Sequence, residues 1–169
     1  KEVEVLEKGS AILGDITGQA PLGYRSPGWE LSDRSLDLLA SHGFLYDSSL
    51  MGDDAPYILN PDTPQRMGEI PIHWLLDDAP NFVYAPSAQR LGPMRNPDEV
   101  YGTWAAEFDG LYRYGRAYTL TMHPQYIGRP GRLLMLERQL RLVRAAEAVT
   151  PPPEEQLLHL AMGKVRRSI

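Results

Sequence analysis

Apolar residues return at helical spacing at the start of the chain. Val5, Leu6, Gly9, Ile12, Leu13 and Ile16 line one face, and Gly18 follows where a left-handed cap would end the helix. Ala20 to Tyr24 is short and bounded by Pro21 and a turn at Arg25, a pattern that predicts a brief buried strand. Ser32 is a suitable N-cap for a helix carrying Leu36, Leu38 and Leu39 and closing at Gly43; Phe44-Leu45-Tyr46 then predicts another strand, followed by Asp47-Ser48-Ser49. Residues 52 to 68 are dense in acidic, amide and proline residues and predict a long irregular loop, of the kind used as a lid or binding loop. Glu69 to Trp74 reads as a strand delivering Trp74 and then Asp77-Asp78.

Farther on, Asn96 caps and Pro97 opens a helix whose Val100, Tyr101, Trp104, Phe108, Leu111 and Tyr112 form a wide apolar stripe. Ala117 to Met122 is the clearest strand pattern, and it ends at His123-Pro124. The turn-rich run Gly128-Arg129-Pro130-Gly131-Arg132 leads into a helix from about Leu133 to Ala148, and Pro151 to Ile169 predicts a short amphipathic helix with a basic tail. Helices alternating with strands imply crossover connections and a parallel sheet, hence an α/β fold with its site at the carboxyl ends of strands. Arg25, Asp47, Asp77, Asp78 and His123 all fall at or near such ends.

Charge and composition narrow the function. The 169 residues fit one domain, 1–169, and the net charge of -5 with no basic stripe argues against a nucleic-acid surface. Zero cysteines remove disulfides, thiolate metal sites and cysteine nucleophiles, and make a cytoplasmic location the simpler expectation. No run reaches the ~20 apolar residues of a membrane span, and no signal-peptide pattern is present, so no membrane partner is expected. Lys1 to Lys8 reads as the inside of a helix already under way, with no cap and no initiator Met, and the chain is expected to begin within a domain.

The stretch Gly23-Tyr24-Arg25-Ser26-Pro27-Gly28-Trp29 joins a cation, a rigid turn and a large aromatic in seven residues. Pro27 fixes φ, Gly28 permits close backbone approach, and the Arg25 guanidinium offers a planar fork suited to a carboxylate. A solvated arginine in an ordinary connection is the competing reading, as a turn former is for Asp47, a solvated acidic turn for Asp77-Asp78, and a satisfied core histidine for His123. His42 and His159 read as structural. Taken together, a histidine acid with an arginine and carboxylates suits hydrolysis of an amide-like bond, although no His-x-x-x-His pair or other complete metal triad is visible.

These residues resemble a known family. Gly23-Tyr24-Arg25-Ser26-Pro27 looks like the third motif of the polysaccharide deacetylases (carbohydrate esterase family 4, NodB-homology fold), Trp74-Leu75-Leu76-Asp77-Asp78 like the fourth, and Leu120-Thr121-Met122-His123-Pro124 like the fifth. Tyr46 to Asp54 and Gly128-Arg129-Pro130 are similar to the branch acting on allantoin, cyclic imides and peptidoglycan-like substrates. The resemblance implies the C-terminal portion of a distorted (β/α) barrel and metal-dependent hydrolysis of carbon-nitrogen bonds outside peptides, zinc being the common metal. His123 would be the general acid, Arg25 would orient a catalytic aspartate, Asp77 or Asp78 would hold Arg25, and the Gly28 N-H would face the oxyanion. Trp29, Trp74 and Asp47 would line the pocket for a small cyclic amide or N-acetyl sugar. The family's first two motifs, an Asp-Asp pair and a His-x-x-x-His pair, are absent, so no metal ligand is expected within this chain. The branch further implies a homo-oligomer. The alternative expectation is a non-catalytic binding or structural module that keeps the fold without the metal site.

Overall fold

The structure is a computed structural model and describes residues 1–60, 62–84 and 94–149, the last three without their side chains. The predicted helix and tail of 151–169 lie outside the described residues. Two compact units divide the chain, Lys1–Pro71 and, among the described residues, the part that begins at Ile72.

In the first unit helix α1 runs Glu2–Thr17, with Glu2 and Glu4 in its first turn, where the helix dipole favours negative charge. Gly18 closes it at φ 77°, its N-H bonding the Gly14 carbonyl at 2.8 Å. Leu6 packs against the buried cluster of Leu39, Phe44 and Met67, joined by Tyr24, Leu36 and Leu59. Strands β1 (Gly23–Tyr24), β2 (Tyr46–Asp47), β3 (Tyr57–Leu59) and β4 (Met67–Glu69) form one sheet in the order β1-β2-β4-β3. The first three in that order are parallel, as the alternation of elements implied; β3 returns antiparallel to β4, with Tyr57 opposite Glu69 and Leu59 opposite Met67. Gly23 matters to this pairing, because a Cβ there would stand 2.1 Å from the Tyr46 ring.

Several boundaries depart from the sequence pattern. The expected loop of residues 52–68 contains β3 and the start of β4: two short runs with turn residues between them find each other as a hairpin, and local composition hides that pairing. The strand expected over Glu69–Trp74 sits earlier, at Met67–Glu69, and Trp74–Leu76 is a 3-10 turn. Helix α2 is Ser35–Ser41; Ser32 precedes it by three residues, its N-H donating to the Ser35 hydroxyl, so it shapes the entering turn and does not occupy the cap position. The strand expected over Ala20–Tyr24 is confined to its last two residues.

In the second unit helix α3 (Ala79–Phe82) is followed by α4 (Pro97–Arg113), α5 (Pro124–Ile127) and α6 (Pro130–Val149). The Asn96 side chain accepts the Asp98 N-H at 2.9 Å and Pro97 opens α4, as the capping pattern predicts. Val100, Trp104 and Phe108, spaced by four, are its buried face. Val100 and Trp104 join Leu76, Phe82, Ile127 and Met135 in one core. Trp104 is wholly buried and donates its indole N-H to the Leu75 carbonyl at 3.0 Å. Gln139 of α6, equally buried, donates to the Tyr118 hydroxyl at 2.7 Å, and burial raises that phenol well above its ordinary range. Ala117–Met122, expected as a full strand, is extended chain with one parallel bridge, Thr121 to Asp77. Thr121 makes two backbone bonds across it, its N-H donating to the Leu76 carbonyl at 2.8 Å and its carbonyl accepting the Asp78 N-H at 3.1 Å. No helix among the described residues is long and apolar enough to cross a membrane.

Candidate active site

The Thr121 bridge sets the chemistry of the second unit. By holding the Leu76–Asp78 segment alongside Thr121, it brings His123 to Asp78 across 45 residues of sequence. Asp78 is fully buried, and its two oxygens are both engaged by His123: Oδ2 accepts the backbone N-H at 3.0 Å, and Oδ1 lies 2.6 Å from Nδ1. With a carboxylate at that distance, Nδ1 is the protonated ring nitrogen, and Nε2 is the one left for exchange with a substrate. The His123 ring is 37 % exposed and the Asp78 side chain 0 % exposed, so the histidine meets solvent while its partner does not. Pro124 fixes the chain beyond it, and the Tyr126 ring lies 5.4 Å away, centroid to centroid. Asp77, buried as well, braces the backbone. Its Oδ1 accepts the Ala79 N-H at 2.6 Å, an Asx-type turn into α3, and stays 3.8 Å from Nδ1. Trp74, from the turn just before, is half exposed.

Ligand atoms of Asp77, Asp78 and His123 all lie within 4.8 Å of one another. They do not suit a resident metal as arranged. Two ligands on one tetrahedral zinc, each about 2.0 Å from it, stand roughly 3.3 Å apart. The 2.6 Å between Nδ1 and Oδ1 is instead the length of a charge-assisted hydrogen bond.

Arg25 occupies the first unit. Its Nε donates to the Ser48 carbonyl at 2.8 Å and its Nη2 to the Ser48 hydroxyl at 2.7 Å, while that hydroxyl donates to the Ile70 carbonyl at 2.8 Å. The next residue is tied in the same way: the Ser26 N-H donates to Ser49 Oγ at 2.9 Å, and Ser49 Oγ donates to Asp47 Oδ1 at 2.9 Å. Asp47 is fully buried and holds Ser49 through both oxygens. Gly28 sits at φ 64°, as its place in the turn requires, and Trp29 follows at φ 61°, a left-handed conformation that costs a bulky residue about 1–3 kcal/mol. Such strain collects at functional loops.

The sequence pattern singled out neither Ser48 nor Glu69 as a site residue; Glu69 read only as the start of a strand. The signal for Glu69 was a carboxylate inside the apolar run from Met67 to Ile72; for Ser48 nothing local foretold that its carbonyl and hydroxyl would both receive the arginine.

The second unit thus presents a carboxylate-backed histidine, and the first a braced arginine at the end of a parallel strand. Comparison with known proteins gives these features a context. The chain is 32 % identical, over a 175-position alignment that covers 88 % of it, to a peptidoglycan deacetylase of Helicobacter pylori. Its fold matches, at TM-score 0.80 and 37 % identity over 85 % of the chain, a crystal structure from Mycobacterium smegmatis assigned as a polysaccharide deacetylase. The crystal structure of Puue allantoinase matches at TM-score 0.69 and 23 % identity over 89 % of the chain, a likeness of fold. No family model matches. In sequence and in fold the chain is similar to polysaccharide deacetylases of NodB type, and its fold is a portion of the (β/α) barrel of these structures. It spans 59 % of the Helicobacter protein, 50 % of the Mycobacterium chain and 53 % of the allantoinase chain.

Proposed function

We propose that the protein is a hydrolase of carbon-nitrogen bonds outside peptides, a deacetylase of N-acetylated amino sugars, in which His123 is the general acid. The observation that carries this reading is the double hold of Asp78 on His123, on the ring at 2.6 Å and on the backbone at 3.0 Å. Protonated at both nitrogens, the imidazole donates the Nε2 proton to the leaving nitrogen as the carbon-nitrogen bond breaks. The buried Asp78 carboxylate keeps the ring oriented, the service a carboxylate gives histidine in hydrolases generally. Arg25, braced by Ser48, is suited to orient the carboxylate that takes a proton from the attacking water. Trp29 and Trp74 suit contacts with sugar rings, and the Gly28 N-H suits the oxyanion. A divalent metal, zinc by family resemblance, belongs to this reading as a Lewis acid that makes bound water more acidic. Asp77, Asp78 and His123 are not assigned to it.

The peptidoglycan deacetylase among the relatives favours an N-acetyl sugar over a cyclic amide. Acetate release from N-acetylglucosamine oligomers by the full-length protein, with allantoin as the parallel substrate, tests this choice. His123→Ala is expected to lower turnover by about 10²–10⁴-fold, the range for loss of a general acid, in a variant that still folds but has a lower thermal midpoint because Asp78 Oδ1 loses its partner. Full turnover in that variant would remove His123 from the mechanism, and hydrolysis of allantoin alone would move the substrate to the cyclic amides.

A further inference from the structure

Asp47 and Glu69 are direct register partners at the carboxyl ends of the adjacent parallel strands β2 and β4. Both are buried, at 0 % and 1 % exposure. Glu69 Oε1 accepts the Ser49 N-H at 3.1 Å and the Leu50 N-H at 2.9 Å. Glu69 Oε2 is buried with no donor facing it. Two carboxylates side by side in such a place would be a costly pair of buried like charges, and an orphaned carboxylate oxygen adds the cost of an unmade hydrogen bond. A proton on Oε2, donated to Asp47, removes both costs at once.

We propose that Asp47 and Glu69 share one proton, and that this bridged acid pair is the positioning device for the Arg25-Ser26 turn. The line of contacts is continuous. Glu69 fixes the backbone at Ser49 and Leu50; Asp47 takes the Ser49 N-H and hydroxyl; Ser49 Oγ receives the Ser26 N-H; and Ser48, in the same turn, grips Arg25 with its carbonyl and hydroxyl. Removing the shared proton places two negative charges at the foot of the turn that carries both serines.

The surroundings agree. Burial, and then the Asp47 charge, push the Glu69 carboxyl up to about 8. The groups nearest it are acidic: Asp47 from β2, and from β3 the Tyr57 hydroxyl, itself raised by burial and by the charges of Glu69, Asp47 and Asp53. Arg25, the cation of β1's end, is engaged by Ser48.

The effect on Arg25 in catalysis rests on the function proposed above, whereas the shared proton does not, and the experiment separates them. In full-length protein labelled with 13C at glutamate carboxyls, the resonance that vanishes in Glu69→Gln is followed by NMR from pH 5 to 10, together with the Ser26 and Ser49 amides. A Glu69 midpoint near 8 that both amides track supports the proposal whether or not any substrate is turned over. A midpoint in the ordinary carboxylate range, or amides indifferent to it, overturns it. Should Glu69→Gln fail to fold, Asp47→Asn serves, because loss of the partner must return Glu69 toward ordinary titration; an unmoved midpoint there overturns the proposal. On N-acetylglucosamine oligomers the alkaline fall in kcat, about tenfold per pH unit beyond the midpoint for a single required proton, is expected to flatten in Glu69→Gln, whose amide donates to Asp47 at every pH. Persistence of that fall at the same midpoint counts against the positioning role.

Discussion

At the scale of single residues, Asp78 has the most constrained role, because each of its oxygens meets a different N-H of His123. Asp78→Asn keeps the shape and removes the charge. Its carbonyl can accept from one N-H, and its amide then points a donor at the other, a buried mismatch that costs about 1–3 kcal/mol. Turnover is expected to fall by about 10²-fold or more for want of an oriented imidazole, with a lower thermal midpoint. Steady-state kinetics across pH beside thermal unfolding check this, and an unaltered kcat in Asp78→Asn would leave the pair a structural contact. Asp77, one residue earlier and equally buried, is engaged by the Ala79 N-H, so neighbours in sequence serve different ends.

At the scale of elements, the sheet of the first unit depends on fit between strands too short to stabilise themselves. Each parallel strand contributes two or three residues, and Gly23 lets the Tyr46 ring lie across β1. Gly23→Ala is expected to destabilise by about 1–3 kcal/mol, the range for overpacking, since its Cβ would overlap that ring. Denaturant unfolding measures the loss; a midpoint equal to wild type would show that the ring moves aside freely. The second unit rests instead on long helices. α4 and α6 bring Trp104, Val100 and Met135 together, and the Trp104 indole carries a hydrogen bond to Leu75, next to the segment that ends in Asp78. Packing and site are thereby joined through a short run of chain.

For the whole molecule, pH is the readiest probe. Glu69 has its carboxyl near 8 in the folded protein against an ordinary 4.5. Between those values the folded state binds more protons than the unfolded one, so stability falls as pH rises. The contribution of Glu69 is complete below 4.5 and is lost as pH rises through about 8. The difference in thermal stability between wild type and Glu69→Gln is therefore expected to change steadily from about pH 5 to about pH 8.5 and level off beyond, by on the order of a few kcal/mol. A constant difference over that range would deny the raised value.

The chain by itself determined whatever depends on near neighbours. Gly18 and Asn96 announced a helix end and a helix start, and the stripe from Val100 through Trp104 to Phe108 fixed which face of α4 is inside. The order of elements implied a parallel core to the sheet, and motif residues marked Arg25, Asp78 and His123 as chemistry. Pairing between distant segments was decided only in three dimensions. The residues around Tyr57 look like loop until β4 lies beside them, and Ala117–Met122 looks like a strand yet has one bridge to satisfy. Asp78 was one of two equivalent carboxylates until the Thr121 bridge set His123 against it. Glu69 was an ordinary strand residue until burial beside Asp47 gave it a proton to share. Helix signals are local because each bond spans four residues, whereas a strand's partner and a carboxyl's charge depend on what the rest of the fold brings next to them.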